Sequence, residues 1–381
     1  MFPLVAVNTP FPDPIFVTRP SLPPLDSVHR LLEDVWSSAN LTNNGPLVTE
    51  LEERLCSYLN VPHISLVANG SLGLVLALKA LRLSGEVITT PFTFVATTQA
   101  LTWNNLTPVF ADIEDSTFAL SPSSVVERIT NRTTAILATH CYGNPCNIEA
   151  LEEIADSYNL KIIYDAAHAF GVDCHCGSLL SHGDFSVLSF HATKVFNTFE
   201  GGAIISKTLD DKRRIDKLRN FGFVDQEEVS LEGINAKMSE FSAAVGICQL
   251  SKIESDIKKR RSIAELYHDL LGKNDSLKLP DFRCAFKHNY AYYPILVAKH
   301  AKLSRDALAE SLRNHNVFCR KYFYPLVSDF QLFRDNVDEG SSRLPVATDK
   351  SRSVLCLPIY PDLDLFIVSK VCSIINEVLS W

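Results

Sequence analysis

Between roughly residue 60 and residue 210, short apolar runs alternate with longer amphipathic stretches. The runs His63–Ala68, Glu86–Thr90, Pro108–Ala111, Ala135–Thr139, Lys161–Tyr164, Ser186–Phe190 and Gly202–Ser206 are bounded by Gly, Pro, Asn or Asp, and several are rich in Val and Ile. That pattern predicts strands. The stretches Leu72–Leu83, Val95–Trp103, Pro122–Ile129 and Ile148–Tyr158 between them predict helices. Strand and helix in alternation make βαβ units: an α/β fold with a mostly parallel sheet covered by helices on both faces.

The two ends read differently. The first ~45 residues are Pro-rich and irregular apart from a helix around Leu25–Ser38. A long helical segment runs from near Met238 to about Leu271. Beyond it the candidates are mixed: His288–Val297, a helix Ser304–His315, a strand Val317–Arg320 and a last helix ending near Ser380. The expected division is a large domain over residues 1–255 and a smaller α+β domain over residues 256–381.

Composition narrows the function classes. Of 381 residues, 46% are apolar and 21% charged, ordinary proportions for a globular chain. The net charge of −8 opposes a nucleic-acid partner, which needs clustered cations. The one basic run, Lys258-Lys259-Arg260-Arg261, fits a solvated helix face. No apolar run approaches the ~20 residues that span a membrane, and Met1–Asn8 lacks the pattern of a signal peptide. These features predict a cytoplasmic protein without a membrane partner. The ten cysteines, without framework spacing, are read as reduced thiols. Cys174, His175, Cys176 and His182 are metal-ligating types. Such a run puts its neighbours on opposite sides of a strand or in a tight loop, and no second Cys-x-x-Cys pair follows, so a metal-free surface hairpin is expected.

In open α/β sheets, ligands bind beyond the carboxyl ends of the strands. Asn69-Gly70-Ser71 follows the first strand and leads into a helix, either as an ordinary turn and N-cap or as a phosphate cup of free amides. Phe94, in Thr90-Pro91-Phe92-Thr93-Phe94, is either a core aromatic or a ring that stacks on a planar cofactor. Asp165, at the end of a buried strand, is either a turn cap or an acid that keeps a pyridinium nitrogen protonated. Lys194, between a strand and Gly201-Gly202, sits among small and apolar neighbours that depress an amine's pKa, as a Schiff-base lysine requires. Each alone has a bland explanation. In this order on one sheet, together they make a pyridoxal-phosphate site of the commonest aminotransferase fold.

The blocks Ser189-Phe-His-Ala-Thr-Lys194, Asp165-Ala-Ala-His168, Thr139-His-Cys-Tyr-Gly-Asn-Pro-Cys146 and Gly233-Ile-Asn-Ala-Lys-Met-Ser-Glu240 resemble the sugar aminotransferases of the DegT/DnrJ/EryC1/StrS family. Arg320-Lys-Tyr-Phe-Tyr-Pro325 and Leu357-Pro-Ile-Tyr-Pro361 extend the resemblance over nearly the whole chain. Within the family, Leu41-Thr-Asn-Asn-Gly-Pro46 and Lys194-Val-Phe-Asn-Thr-Phe-Glu-Gly-Gly202 are most similar to the enzymes that make dTDP-4-amino-4,6-dideoxyglucose (viosamine). The resemblance implies fold type I of the pyridoxal-phosphate enzymes and a homodimer with active sites at the subunit interface. It implies that Lys194 carries the cofactor and shuttles protons, Asp165 pairs with the pyridine nitrogen, His168 lies near the ring hydroxyl and Phe94 stacks on the ring. Gly70, Ser71 and Ser189 would hold the phosphate, with Asn235 reaching it from the second subunit. Lys237, where the family usually has Arg, and Tyr322 would meet the substrate. Lys loses the bidentate fork of Arg while keeping its charge.

The implied reaction moves the amino group of L-glutamate to a nucleotide-linked keto-sugar, first among them dTDP-4-keto-6-deoxy-D-glucose. Alternatives are a 3-amino product or a UDP- or GDP-linked sugar, and the pathway (O-antigen and lipopolysaccharide, another glycan, or a secondary metabolite) stays open. A sugar dehydratase of the same fold would carry His in place of Lys194. A dehydrogenase would need Gly-x-Gly-x-x-Gly after a strand, which is missing. A DNA-binding regulator would need a basic module, for which neither end has the charge.

Overall fold

The computed structural model describes residues 10–334 and 344–379. The expected reading of Met1–Asn8 and the close of the last helix at Ser380 lie outside them. The described residues open with a short strand β1 (Ile15–Phe16) and helices α1 (Leu25–Ser38) and α2 (Pro46–Leu59). Then come β2 (His63–Val67), α3 (Gly70–Ala80), β3 (Glu86–Thr89), α4 (Val95–Trp103), β4 (Thr107–Phe110), α5 (Pro122–Arg128), β5 (Thr133–Thr139), α6 (Ile148–Tyr158) and β6 (Lys161–Asp165). A hairpin of β7 (Asp173–Cys174) and β8 (Gly177–Ser178) precedes β9 (Phe185–Ser189), β10 (Gly202–Ser206) and α7 (Leu209–Leu218). The remainder is α8 (Glu240–Leu250), α9 (Ile253–Leu271), β11 (Leu277–Lys278), β12 (Tyr293–Val297), α10 (Arg305–Asn314), β13 (Val317–Phe318), α11 (Gln331–Arg334), α12 (Pro345–Ser353), β14 (Val354–Leu357) and α13 (Leu365–Leu379).

Seven strands form the central sheet in the order β2-β10-β9-β6-β5-β3-β4, all parallel except β10, which runs antiparallel to both neighbours. The predicted α/β architecture is therefore present. β3 and β10 are buried along their whole length, as a sheet covered on both faces requires. Register places Thr139, Asp165 and Val187 side by side at the carboxyl edge. Because β10 is reversed, its first residue, Gly202, lies at that same edge between Val67 and Ser189. A Cβ on Gly202 would stand 2.8 Å from Leu188 O and from the backbone of Asn69 and Gly70, so only glycine lets these segments meet.

The pattern predicted one helix from Met238 to Leu271; the structure has two, α8 and α9, parted at Ser251 and Lys252. Ser251 Oγ donates to Cys248 O at 2.7 Å, closing the first helix without a Gly or Pro. Of His288–Val297 only Tyr293–Val297 is strand, and of Val317–Arg320 only Val317–Phe318. Residues 46–59, left unassigned by the pattern, form α2, whose N-cap Gly45 offers no side chain. Its free amides are satisfied from far away, since Glu240 Oε2 and Oε1 accept from Leu47 N at 2.8 Å and Val48 N at 3.1 Å. Leu51 and Leu55 are then fully buried under the sheet, each contributing about 1.5–3 kcal/mol.

Candidate functional site

A cavity of about 560 Å³ opens at the carboxyl edge of the central sheet. Asn69, Gly70, Ser71, Phe94, Asp165, His168, Ser189, Lys194 and Tyr322 all line it. A larger, more open cleft of about 810 Å³ lies in the C-terminal part near Arg305 and Arg352, without a buried lysine or an acid at a strand end. The chemistry gathers in the smaller cavity.

Asp165 ends β6 and is buried. Its Oδ2 accepts from Thr97 Oγ1 at 2.7 Å and its Oδ1 from Ala167 N at 3.1 Å. Thr97 Oγ1 lies 2.8 Å from Thr93 Oγ1, which lies 3.2 Å from Thr139 Oγ1, so the acid heads a short chain of hydroxyls. Burial raises its pKa, while these two hydrogen bonds and the charge of Lys194 oppose the rise. A cation lodged against this carboxylate would favour its charged form further.

Lys194 follows β9 in a turn closed by its N–H on His191 O at 2.9 Å. Burial of its amine pushes its pKa down to about 8, with the Asp165 carboxylate pulling the other way. A neutral amine, the nucleophilic form, is thus accessible near neutral pH. His168 is buried, and its Nδ1 accepts from Tyr142 N at 3.1 Å, which leaves the ring proton on Nε2. Desolvation, then the charge of Lys194, hold this imidazole well below its usual pKa, hence neutral.

Gly70 and Ser71 open α3, with Asn69 capping it by accepting from Leu72 N at 2.9 Å. A Cβ on Gly70 would come within 2.9 Å of Ser189 Cβ, so the helix start and the end of β9 form one small-residue cup. The turn-and-cap reading and the anion-cup reading of Asn69-Gly70-Ser71 are therefore compatible. Phe94 is 59% exposed although it lines the cavity, which corrects the core-aromatic alternative. The buried ring of that loop is Phe92.

Asn235 and Lys237 do not join this cavity. Asn235 is exposed, on a segment bridged to Asn220. Lys237 Nζ donates to Asn220 Oδ1 at 2.8 Å and lies 4.9 Å above the Phe221 ring. Conversely, the cavity includes Thr93, Thr139, His191, Glu200, Tyr292, Arg320 and Phe323, none of them assigned a role by sequence alone. Arg320 lay inside a quoted motif, and its only distinguishing signal was being a cation next to Tyr322, over whose ring it sits at 5.7 Å.

The family model of DegT/DnrJ/EryC1/StrS aminotransferases matches residues 26–376. The dTDP-4-amino-4,6-dideoxy-D-glucose transaminase of Shigella dysenteriae is 46% identical over 365 residues, covering 96% of this chain and 99% of its own. The crystal structure of DesI in the presence of its TDP-sugar product has a TM-score of 0.92 to this chain at 34% identity, covering 97% of this chain and 94% of its own. NtdA from Bacillus subtilis with bound cofactor PMP has a TM-score of 0.85 at 25% identity, covering 94% of this chain and 82% of its own. The acid, the lysine and the cup at one sheet edge are thus set in a scaffold shared along nearly its full length, and the chain belongs to the DegT/DnrJ/EryC1/StrS aminotransferase family.

Proposed function

We propose that the chain transfers the amino group of L-glutamate to dTDP-4-keto-6-deoxy-D-glucose, giving dTDP-4-amino-4,6-dideoxy-D-glucose. The observation that carries this is the half-buried Lys194 facing the same cavity as buried Asp165, in a chain 46% identical to transaminases of that name in Shigella dysenteriae and Escherichia coli. The family cofactor, pyridoxal 5′-phosphate, fits the cavity: a buried acid in need of a cation, an exposed ring at the mouth and a cup closed to any side chain at Gly70.

When bound, the cofactor supplies a carbonyl carbon for amines and a ring that takes up the electron pair left when a proton departs. The residues divide the remaining work. The amine of Lys194 would hold the cofactor and, once displaced by the donor, move the donor's α-proton, a placement worth ~10²–10⁴-fold. Asp165 would keep the ring nitrogen protonated. His168, with its proton on Nε2, would hold the ring hydroxyl, and Phe94 would cover the ring. Gly70, Ser71 and Ser189 would receive the phosphate at the helix N-terminus. Tyr322 and Arg320 line the cavity as well, and the guanidinium would suit a substrate carboxylate or phosphate.

The same reading makes the enzyme a homodimer with shared sites. Phe221, Phe223, Val224, Val229 and Ile234, on the segments joined by the Asn220–Asn235 bridge, are exposed apolar residues, as are Phe199 and Phe241, whose rings lie 5.8 Å apart; such exposure calls for a covering surface. A second copy would cover them and bring Asn235 and Lys237 to the neighbouring cavity. A large domain over residues 1–255 and a small one over 256–381 are supported by α9, where Ile253 and Ile257 join one apolar core and Ile263, Ala264, Tyr267 and Leu271 join another. Phe11 and Ile15 also pack in the C-terminal core. We place the enzyme in the cytoplasm, in keeping with ten unpaired cysteines, and its product in O-antigen or lipopolysaccharide assembly.

The test is the NMR spectrum of the product formed from pyridoxal phosphate, L-glutamate and dTDP-4-keto-6-deoxy-D-glucose. An equatorial amine at C4 is the expected result. Amine at C3, or no product in a protein that still deaminates glutamate, would reject this sugar.

A further inference from the structure

Away from the cavity, one group of soft donors converges on the side of the large domain. Cys174 lies on β7, Cys176 in the turn to β8, and His182 just before β9. His182 Nε2 is 3.3 Å from Cys176 Sγ and 3.8 Å from Cys174 Sγ, and the three atoms all lie within 4.8 Å of one another. A tetrahedral zinc ion, with bonds of about 2.3 Å to sulfur and 2.0–2.1 Å to nitrogen, sets sulfur and nitrogen roughly 3.6 Å apart and two sulfurs roughly 3.8 Å apart. The expectation of a metal-free hairpin rested on neighbouring residues falling on opposite sides and on the missing second Cys pair. Here both sulfurs reach one imidazole, that of His182, while His175 between them leans on the Phe286 ring at 6.0 Å.

A second observation concerns the far side of the imidazole. His182 Nδ1 faces Glu152 Oε1 on α6 at 3.5 Å, and that same oxygen accepts from Gly183 N at 3.4 Å. A carboxylate behind a histidine orients its ring, selects the tautomer with a free Nε2 and raises its basicity, the arrangement found behind metal-bound histidines.

We propose that Cys174, Cys176 and His182 form a site for a thiophilic divalent cation of the zinc type, with Glu152 positioning the imidazole and the fourth position open to solvent beside exposed Cys176. On binding, each thiol loses its proton to solvent and the thiolate takes the metal. The ion would tie the β7–β8 hairpin to the loop before β9 and, through Glu152, to α6. The hairpin is otherwise anchored by backbone bonds such as Asp173 N to Lys287 O at 3.0 Å. None of the four residues lines the catalytic cavity.

The experiment uses the full-length, cofactor-loaded protein, stripped of metal by a chelator and titrated with Zn²⁺ against a chromogenic competitor. One tight equivalent per chain is expected in the parent. Cys176→Ser should lose it, and Glu152→Gln should weaken it by roughly ten- to hundredfold, both with transamination unchanged. Co²⁺ in place of Zn²⁺ should give a thiolate-to-metal absorption band in the parent that Cys176→Ser lacks. Absence of a stoichiometric ion, retention of parental affinity by Cys176→Ser, or a Cys174–Cys176 disulfide in freshly purified protein would each overturn the proposal.

Discussion

The hydroxyl of Thr97 donates to Oδ2 of Asp165 at 2.7 Å, tying the acid at the end of β6 to the first turn of α4. The carboxylate is buried and receives one other protein hydrogen bond, from Ala167 N. Hydrogen bonds to charged groups are worth about 1.5–3 kcal/mol, so Thr97→Val should slow the half-reaction with L-glutamate by roughly ten- to hundredfold. Asp165→Asn should slow it more, and Thr97→Ser should retain most of the rate. Single-turnover kinetics check this; a Val variant as fast as the parent would reduce Thr97 to a packing role.

Lys194→Ala should abolish steady-state turnover while the protein folds and still takes up pyridoxal phosphate. The absorption band of lysine-bound cofactor should be missing. Appreciable turnover in this variant would remove Lys194 from the chemistry.

The pH dependence of cofactor loading follows from Lys194. Its pKa is lowered to about 8 by burial, so the reactive neutral amine is scarce below that pH and abundant above it. Loading of cofactor-free protein should therefore quicken as pH rises through about 8 and then level. Asp165 acts to raise this pKa, so in Asp165→Asn the midpoint should move to lower pH. Stopped-flow absorbance across a pH series measures both midpoints, and an unmoved midpoint would show that Asp165 does not act on the amine.

Gly202→Ala should lower the melting temperature. Its Cβ would meet backbone atoms of Asn69, Gly70 and Leu188 at 2.8 Å, and backbone has little room to yield. Overpacking of this kind costs about 1–3 kcal/mol. Because the strain falls on the cup, cofactor affinity should fall too. Calorimetry with and without cofactor reads both effects; a stable variant with parental affinity would contradict the close approach.

Shared sites predict complementation. Asn235→Asp, which in the proposed dimer would set a negative charge toward the phosphate of the neighbouring subunit, should be nearly inactive alone, as should Lys194→Ala. Refolded together, they should recover activity, since a mixed dimer holds one site with both residues intact. No recovery, with mixed dimers demonstrated by mass spectrometry, would place each site within one chain.

How far the chain was legible from its sequence depended on where each residue's partners lie. Asp165 and Lys194 were readable because strand ends deliver them and their immediate neighbours set their surroundings. Thr97 gave no signal: a threonine in a helix gains meaning only when β6 brings Asp165 to it. Arg320 and Tyr292 reach the cavity from the C-terminal part through tertiary packing alone. The helix α2 escaped because its cap is Glu240, some 190 residues away. The break at Ser251 escaped because a side chain closes α8 where no Gly or Pro stands.

Whether Lys194 carries the cofactor can be read by chemical trapping. Cofactor-loaded protein is reduced with borohydride, which makes the lysine–cofactor bond permanent, then digested and mapped by mass spectrometry. One modified residue, Lys194, is expected, with the label lost if excess L-glutamate is added before reduction. A label on any other lysine, or none on a protein that is catalytically active, would contradict it.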